Sequence, residues 1–309
     1  MIPQRDLSLL SNRLAKRGAR RIPETVLERD YCLAWFLVGL SRSALRDRLA
    51  FKGGTALKRC YFGDYRFSED LDFTLIEETP WEEIERHLTV AFAETRKASA
   101  VEIRLDHLDR HSHENSHTFY LAYEGPLPRA RGKTVKSDIT IGERIVLALE
   151  ERPVLRGYEE YRDLPEDAVL RVYSLDEVAV EKTVALLDRA RNEPRDLYDL
   201  WFLTANNHVR LSDLVDPVKR KLEFRGLTLA QVGREFSAKE ARYRKLWQVR
   251  LAAQMAELPR PDAAEVQKLA KQRRAEGMAF QERAAAQMEK LAQYPALLEA
   301  WTRAMDTMR

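Results

Sequence analysis

The segment Asp70-Leu71-Asp72-Phe73-Thr74-Leu75 alternates polar and apolar residues with period two. That alternation predicts a strand, because successive side chains of a strand point to opposite faces. Asp70, Asp72 and Thr74 then share one face, and Leu71, Phe73 and Leu75 share the other. Two carboxylates side by side repel unless a cation lies between them. Paired hard oxygen ligands suit Mg2+ or Mn2+. A solvated surface pair is the plain alternative, and the spacing alone does not choose between them.

The segment Phe51-Lys52-Gly53-Gly54-Thr55 lies upstream. A Gly-Gly break, Thr55 as cap and a short helix over 56–62 are expected there. Paired glycines remove two side chains, so backbone N–H groups can approach a phosphate, and a helix N-terminus favours anions. An ordinary loop with a Thr cap reads from the same residues. The order of the parts is more specific than any one of them. A phosphate-friendly loop, a helix and a strand with paired aspartates together supply what a metal and a triphosphate need. Asp138 sits in a further expected strand over 135–141, with Lys136 and Thr140 on its face. It could complete a two-metal arrangement, or stand as a strand-edge carboxylate.

Helical patterns are expected through the first thirty residues and again, strongly apolar, over 30–49. Thr79-Pro80 opens a helix over 81–97, with Glu82 and Glu83 in its first turn. Strands are expected over 101–108 and 118–123, and from Ser174 the pattern is helical to the end. Strands in the first half and helices in the second predict an α+β fold with a mixed sheet and a helical C-terminal part. The expected division is 1–170 and 171–309. Of 309 residues, 45% are apolar and 33% charged, and no apolar run approaches a membrane span of roughly 20 residues. The N-terminus lacks a signal peptide's apolar core. Cys32 and Cys60 have no C-x-x-C spacing, so reduced thiols in a cytoplasmic protein are expected. A net charge of +3 does not by itself indicate nucleic-acid binding.

The stretch 51–57 followed by Arg66-Phe67-Ser68-Glu69-Asp70-Leu71-Asp72-Phe73 resembles the hG[GS]…DhD signature of polymerase-β-type nucleotidyltransferases. Lys136-Ser137-Asp138 is similar to a K-x-D strand of the AbiEii/AbiGii toxin family. Glu181-Lys182-Thr183, then Arg189 and Arg195-Asp196-Leu197-Tyr198-Asp199-Leu200, resemble that family's helical lysine and R-D-x-Y-D-L motifs. Glu28-Arg29-Asp30-Tyr31 before an apolar helix also fits. This family, with its MenT-like branch, is the toxin half of type IV toxin–antitoxin and abortive-infection systems.

The resemblance implies a polymerase-β-like core and a transferase that takes a nucleoside triphosphate. It assigns Lys52, Gly53, Gly54, Thr55, Ser68, Lys136, Lys182 and Arg189 to the triphosphate. It assigns Asp70, Asp72 and Asp138 to the metal, with Asp138 also helping to deprotonate the acceptor hydroxyl. Lys182, Asp196 and Asp199 join the catalytic set, the two aspartates activating the acceptor or orienting Lys182. The plain alternatives are a solvated helix face for Lys182, and for Asp196 an N-cap paired with Arg191 or Arg195. Implied partners are an RNA acceptor, a tRNA 3′ end in the MenT-like branch, and a cognate antitoxin encoded nearby. A protein or small-molecule acceptor, and a catalytically silent nucleotide- or RNA-binding module, are the rival readings.

His111-Ser112-His113-Glu114-Asn115-Ser116-His117 is the single histidine cluster. Without companion cysteines it reads as a polar hairpin loop rather than a zinc site. The stretch 218–250 is basic and carries Phe224, Phe236, Tyr243 and Trp247. An amphipathic helix with its aromatics in the core is the commoner explanation, and an RNA-binding face is the other. Residues 262–309 read as Ala-, Gln- and charge-rich helix that could wrap the core, form a dimer arm or contact an antitoxin.

Overall fold

The computed structural model describes residues 1–15, 21–109, 115–128, 132–188, 191, 193–227, 246 and 250. These divide into two compact units, Met1–Ser174 and a second beginning at Leu175.

The first unit opens with helices α1 (Gln4–Ala15) and α2 (Glu24–Ser41). Helix α2 is apolar on nearly every side and is buried accordingly. The helix expected over 30–49 ends at Ser41; a short α3 (Leu45–Arg48) follows, and Leu49–Lys52 form strand β1. All four β1 residues are buried, and so short an apolar run has no period that separates strand from helix. Helix α4 (Gly53–Ala56) continues into a π-helical segment, Leu57–Phe62. The helix thus starts at Gly53, and Thr55 does not cap it: its hydroxyl donates to the Asp70 carbonyl at 2.6 Å.

Strand β2 (Leu71–Leu75), helix α5 (Trp81–Ser99) and strands β3 (Glu102–Leu108), β4 (Ser116–Glu124) and β5 (Thr134–Thr140) follow. Two further strands, β6 (Leu149–Pro153) and β7 (Val169–Tyr173), were not expected from the sequence pattern. The β6 sequence, Leu-Glu-Glu-Arg-Pro, is charged and proline-ended because it forms an outer edge of the sheet. The seven strands run in the order β3-β4-β5-β2-β1-β7-β6. The β2–β5 and β1–β7 pairs are parallel and the other four are antiparallel, so the sheet is mixed and the fold α+β.

Alternation along the strands gives the sheet one apolar face. Phe51, Phe73, Phe119, Leu121 and Ile139 from the strands join Leu33, Phe36, Leu37, Ile84 and Leu88 of α2 and α5 in one core. Helices α2 and α5 meet closely at Gly39, where a β-carbon would overlap the Thr95 hydroxyl and the Ala91 carbonyl. Arg59 reaches from the π-helical segment into α2, where its guanidinium donates to the Asp30 carbonyl at 2.7 Å and pairs with its carboxylate at 2.5 Å.

The second unit holds α6 (Leu175–Leu187), α7 (Pro194–Ala205) and α8 (Val215–Phe224). A wholly buried ion pair, Lys221 Nζ to Glu177 Oε1 at 2.8 Å, ties α8 to α6. Among the described residues no helix is long and apolar enough to cross a membrane.

Candidate functional site

Within the first unit, strand register builds a candidate site on the sheet face opposite the apolar core. Lys52 on β1 lies opposite Asp72 on β2, Asp72 opposite Asp138 on β5, and Asp138 opposite Thr118 on β4. Directly opposed residues share a face, so these four side chains form one row across the sheet. A second row runs alongside it. Asp70 stands just before β2, Lys136 on β5 pairs with Tyr120 on β4, and Tyr120 pairs with His107 on β3.

Asp138 is held from two sides. Thr118 Oγ1 donates to its Oδ1 at 2.5 Å, and Lys136 Nζ donates to its Oδ2 at 2.5 Å. Burial works to lower the Lys136 pKa. The hydrogen bond to Asp138 and the charges of Asp138, Asp70 and Asp72 outweigh that and raise it. The Lys136 ammonium therefore sits in the field of all three aspartates.

Gly53 enters α4 with φ +79°, and a β-carbon there would lie 2.5 Å from Asp72 Oδ2. The glycine brings the backbone at the start of α4 directly against the acidic row. The Arg66 guanidinium, itself buried, packs against the Cα of Gly54. Lys52 Nζ lies 5.5 Å from the centroid of the Tyr173 ring. Lys58 donates to the carbonyls of Gly63 and Tyr65, each at 3.1 Å, and to the Tyr158 hydroxyl at 3.0 Å. Burial pulls its ammonium down to about 8. Lys58 so anchors the turn that leads through the buried Ser68 to Asp70.

The second unit holds a separate charged cluster. Lys182 on α6 places Nζ 2.6 Å from Asp196 Oδ1 and 2.9 Å from Asp199 Oδ2, both on α7. Arg191 Nε lies 2.9 Å from Asp196 Oδ2. Burial by itself raises the Asp196 carboxyl, but Lys182 and Arg191 hold it below the ordinary carboxylate range. Lys182 is thus not on a solvated helix face, and Asp196 is not an N-cap: Glu193 occupies that position and Asp196 is buried in the first turn.

Arg189, the first four residues of the histidine cluster (111–114), most of the basic stretch beyond residue 227 and all of 262–309 lie outside the described residues. His117 is on β4, its ring 5.1 Å from that of Trp81. Among the described residues, no three His, Cys, Asp or Glu side chains form a ready metal cage. Mg2+ is commonly held by one or two carboxylates plus substrate phosphates rather than by an all-protein cage. The neighbouring Asp70 and Asp72 carboxylates fit that mode.

Thr118, Tyr120 and His107 went unnoticed in the sequence. Their alternation is local, but which residues they face depends on pairing with β5 and β3.

A family model described as "Nucleotidyl transferase AbiEii toxin, Type IV TA system" matches residues 35–305. The chain belongs to this family. Its enzyme class is therefore nucleotidyltransferase, and its family is the toxin of a type IV toxin–antitoxin pair. Among solved structures it is similar to MenT4, a nucleotidyltransferase toxin from Mycobacterium tuberculosis H37Rv. The two share 18% identity and a TM-score of 0.43 over 83% of this chain and 75% of that one. No curated protein matches the chain. The matched residues include both the acidic row of the first unit and the Lys182 cluster of the second.

Proposed function

We propose that this AbiEii-family chain transfers a nucleoside monophosphate from a nucleoside triphosphate to an RNA acceptor, a tRNA 3′ end, in a Mg2+-dependent reaction. The observation that carries this reading is the cross-strand row Lys52–Asp72–Asp138, with the Gly53 backbone pressed against Asp72. It brings a cationic group, two carboxylates and a side-chain-free backbone together on one face.

In this reading Asp70 and Asp72 hold the divalent cation, with Asp138 as the third carboxylate. When bound, the cation neutralises charge on the triphosphate. Gly53, Gly54 and Thr55 present the start of α4 to the phosphates, flanked by Lys52 and Ser68. Asp138 faces the acceptor and takes the proton of the attacking hydroxyl. Lys136 stays beside it and offsets the negative charge that gathers there. Catalysis is then largely positioning and charge stabilisation. From the second unit, the family's motifs support a phosphate contact by Lys182, oriented by Asp196 and Asp199, and another by Arg189. The buried free thiols Cys32 and Cys60 suit the reducing cytoplasm, and the family supports a cognate antitoxin as partner.

The test is incubation of the purified protein with each α-labelled NTP, Mg2+ and total tRNA, beside an Asp72→Ala control. The expected result is label on tRNA with one preferred nucleotide and none with the control. Label on protein or a small molecule instead would move the acceptor assignment. Absence of triphosphate binding would make the chain a silent module.

A further inference from the structure

We propose that the terminal base of the acceptor RNA stacks on the ring of Tyr120, and that His107 backs this platform from behind. The inference rests on the proposed RNA-directed transfer, and it adds where the acceptor lies and which side chains position it.

In phosphoryl transfer the attacking and leaving oxygens lie roughly in line. The glycine pair follows β1, and Asp138 lies on β5, on the opposite side of Asp72 from β1. A pyrophosphate leaving over the β1 side therefore places the acceptor over β5 and β4. On that part of the same face stand Lys136, Tyr120 and His107, in one cross-strand row.

The rings of His107 and Tyr120 stack with centroids 4.4 Å apart and planes 14° from parallel. A bulge between Leu105 and His107 makes this possible. Regular alternation after the Leu105–Leu121 pair would set Asp106 opposite Tyr120. The bulge sets His107 there instead. Bulges re-aim side chains next to active sites. Asp106 then accepts a 2.9 Å contact from His107 Nδ1 and fixes the imidazole.

One face of Tyr120 is thus covered by His107, and the other looks across β5. Tyr120 is half-buried, and Lys136, opposite it on β5, turns its ammonium along the strand to Asp138. Among the described residues His107 is the one ring stacked on Tyr120. A flat π-face one strand from the Lys136–Asp138 pair is what a nucleobase requires, and base–aromatic stacking tolerates any base. An acceptor held this way enters with its terminal ribose nearest Asp138. The rival account is an aromatic cross-strand pair that only stabilises the edge hairpin.

The experiment uses the full chain, a short single-stranded RNA, and the same RNA with an abasic 3′-terminal nucleotide. Binding is read by fluorescence anisotropy in EDTA, transfer by labelled NTP, and folding by the thermal midpoint. Tyr120→Ala is expected to raise the RNA Kd and the KM for RNA about tenfold or more. Its kcat and its KM for NTP stay within about twofold, and Tyr120→Phe, which keeps the ring, restores binding. The abasic RNA weakens wild-type binding by a similar factor and changes nothing further in Tyr120→Ala. The stacking proposal is overturned if Tyr120→Ala binds the intact RNA as tightly as wild type does, or if wild type ignores the missing base. RNA binding through Tyr120 without label on RNA would sink the acceptor reading and leave the platform standing. Wild type that binds no RNA sinks both.

Discussion

Gly53 and Asp72 approach so closely that a β-carbon at position 53 would sit 2.5 Å from Asp72 Oδ2. The same glycine has φ +79°, where an L-residue is strained by roughly 1–2 kcal/mol. Gly53→Ala should therefore lower unfolding free energy by about 1–3 kcal/mol and displace the Asp72 carboxylate. Transfer activity is expected to fall at least about a hundredfold, since small misplacements near reacting groups have effects of that size. Urea denaturation and the labelled-NTP assay read the two effects separately. Wild-type turnover in this variant would remove Asp72 from the reacting geometry.

Asp72 faces Asp138 directly across the parallel β2–β5 pair. Neighbouring carboxylates oppose one another unless a cation is present. Asp72→Asn keeps the shape and removes a charge that Asp138 repels and Lys136 attracts, so in EDTA its thermal midpoint should stay within a few degrees of wild type. Its Mg2+-dependent transfer should drop by on the order of a hundredfold or more. A variant that unfolds early and loses activity in proportion would point to a structural role instead.

Lys182, Asp196 and Asp199 form a nearly dry ion cluster, with Asp199 fully buried. Removing one partner of such a cluster leaves an uncompensated buried charge and lowers stability by about 3–5 kcal/mol. Asp199→Ala is expected to lose that much in urea denaturation. The acid limb gives a second check. The folded-state pKa of Asp196 is depressed below its ordinary 3.8. Its stabilising contribution is therefore complete above that value and is lost as pH falls through the lower, folded one. Asp196→Asn should be less stable than wild type at neutral pH, and the gap should shrink as pH drops below about 3.8. A gap independent of pH would mean that ionisation of Asp196 contributes nothing.

The strand that carries Asp72 was legible because period two is a local signal and Asp70–Leu75 displays it without interruption. The glycine pair was legible as a place for close approach, but not which atom approaches it. Strand β1 was hidden because four consecutive buried residues show no alternation. Strand β6 was hidden because an edge strand is built from charged residues. The row from Lys52 to Thr118 required three strand pairings, among them a parallel one between segments far apart in sequence. Alternation says which side a residue faces and nothing about its neighbour across the gap. The α+β class survived these omissions because the segregation of strands and helices does not depend on strand count. The Lys182 cluster was misjudged in the solvated and N-cap alternatives because burial of a charged residue depends on packing between two helices.

Lys136 is a built-in cation beside three carboxylates, hydrogen-bonded to Asp138 and under the charges of Asp70 and Asp72. Lys136→Met takes that charge away and leaves the acids opposed. In EDTA the variant is expected to melt a few degrees lower, a loss of about 1 kcal/mol for a partly exposed pair. Added Mg2+ should recover more of the loss than it adds to wild type, because the divalent cation then meets carboxylates no longer shared with an ammonium. The pH dependence follows from the raised lysine pKa. A base whose folded value is raised contributes fully below its unfolded value of about 10.4 and loses that contribution as pH climbs through the folded one. The difference between wild type and Lys136→Met should hold constant through neutral pH and close only in strong alkali. Scanning calorimetry across Mg2+ concentration and pH measures both. Equal Mg2+-induced shifts in the two proteins would show that Lys136 and the divalent cation do not draw on the same carboxylates.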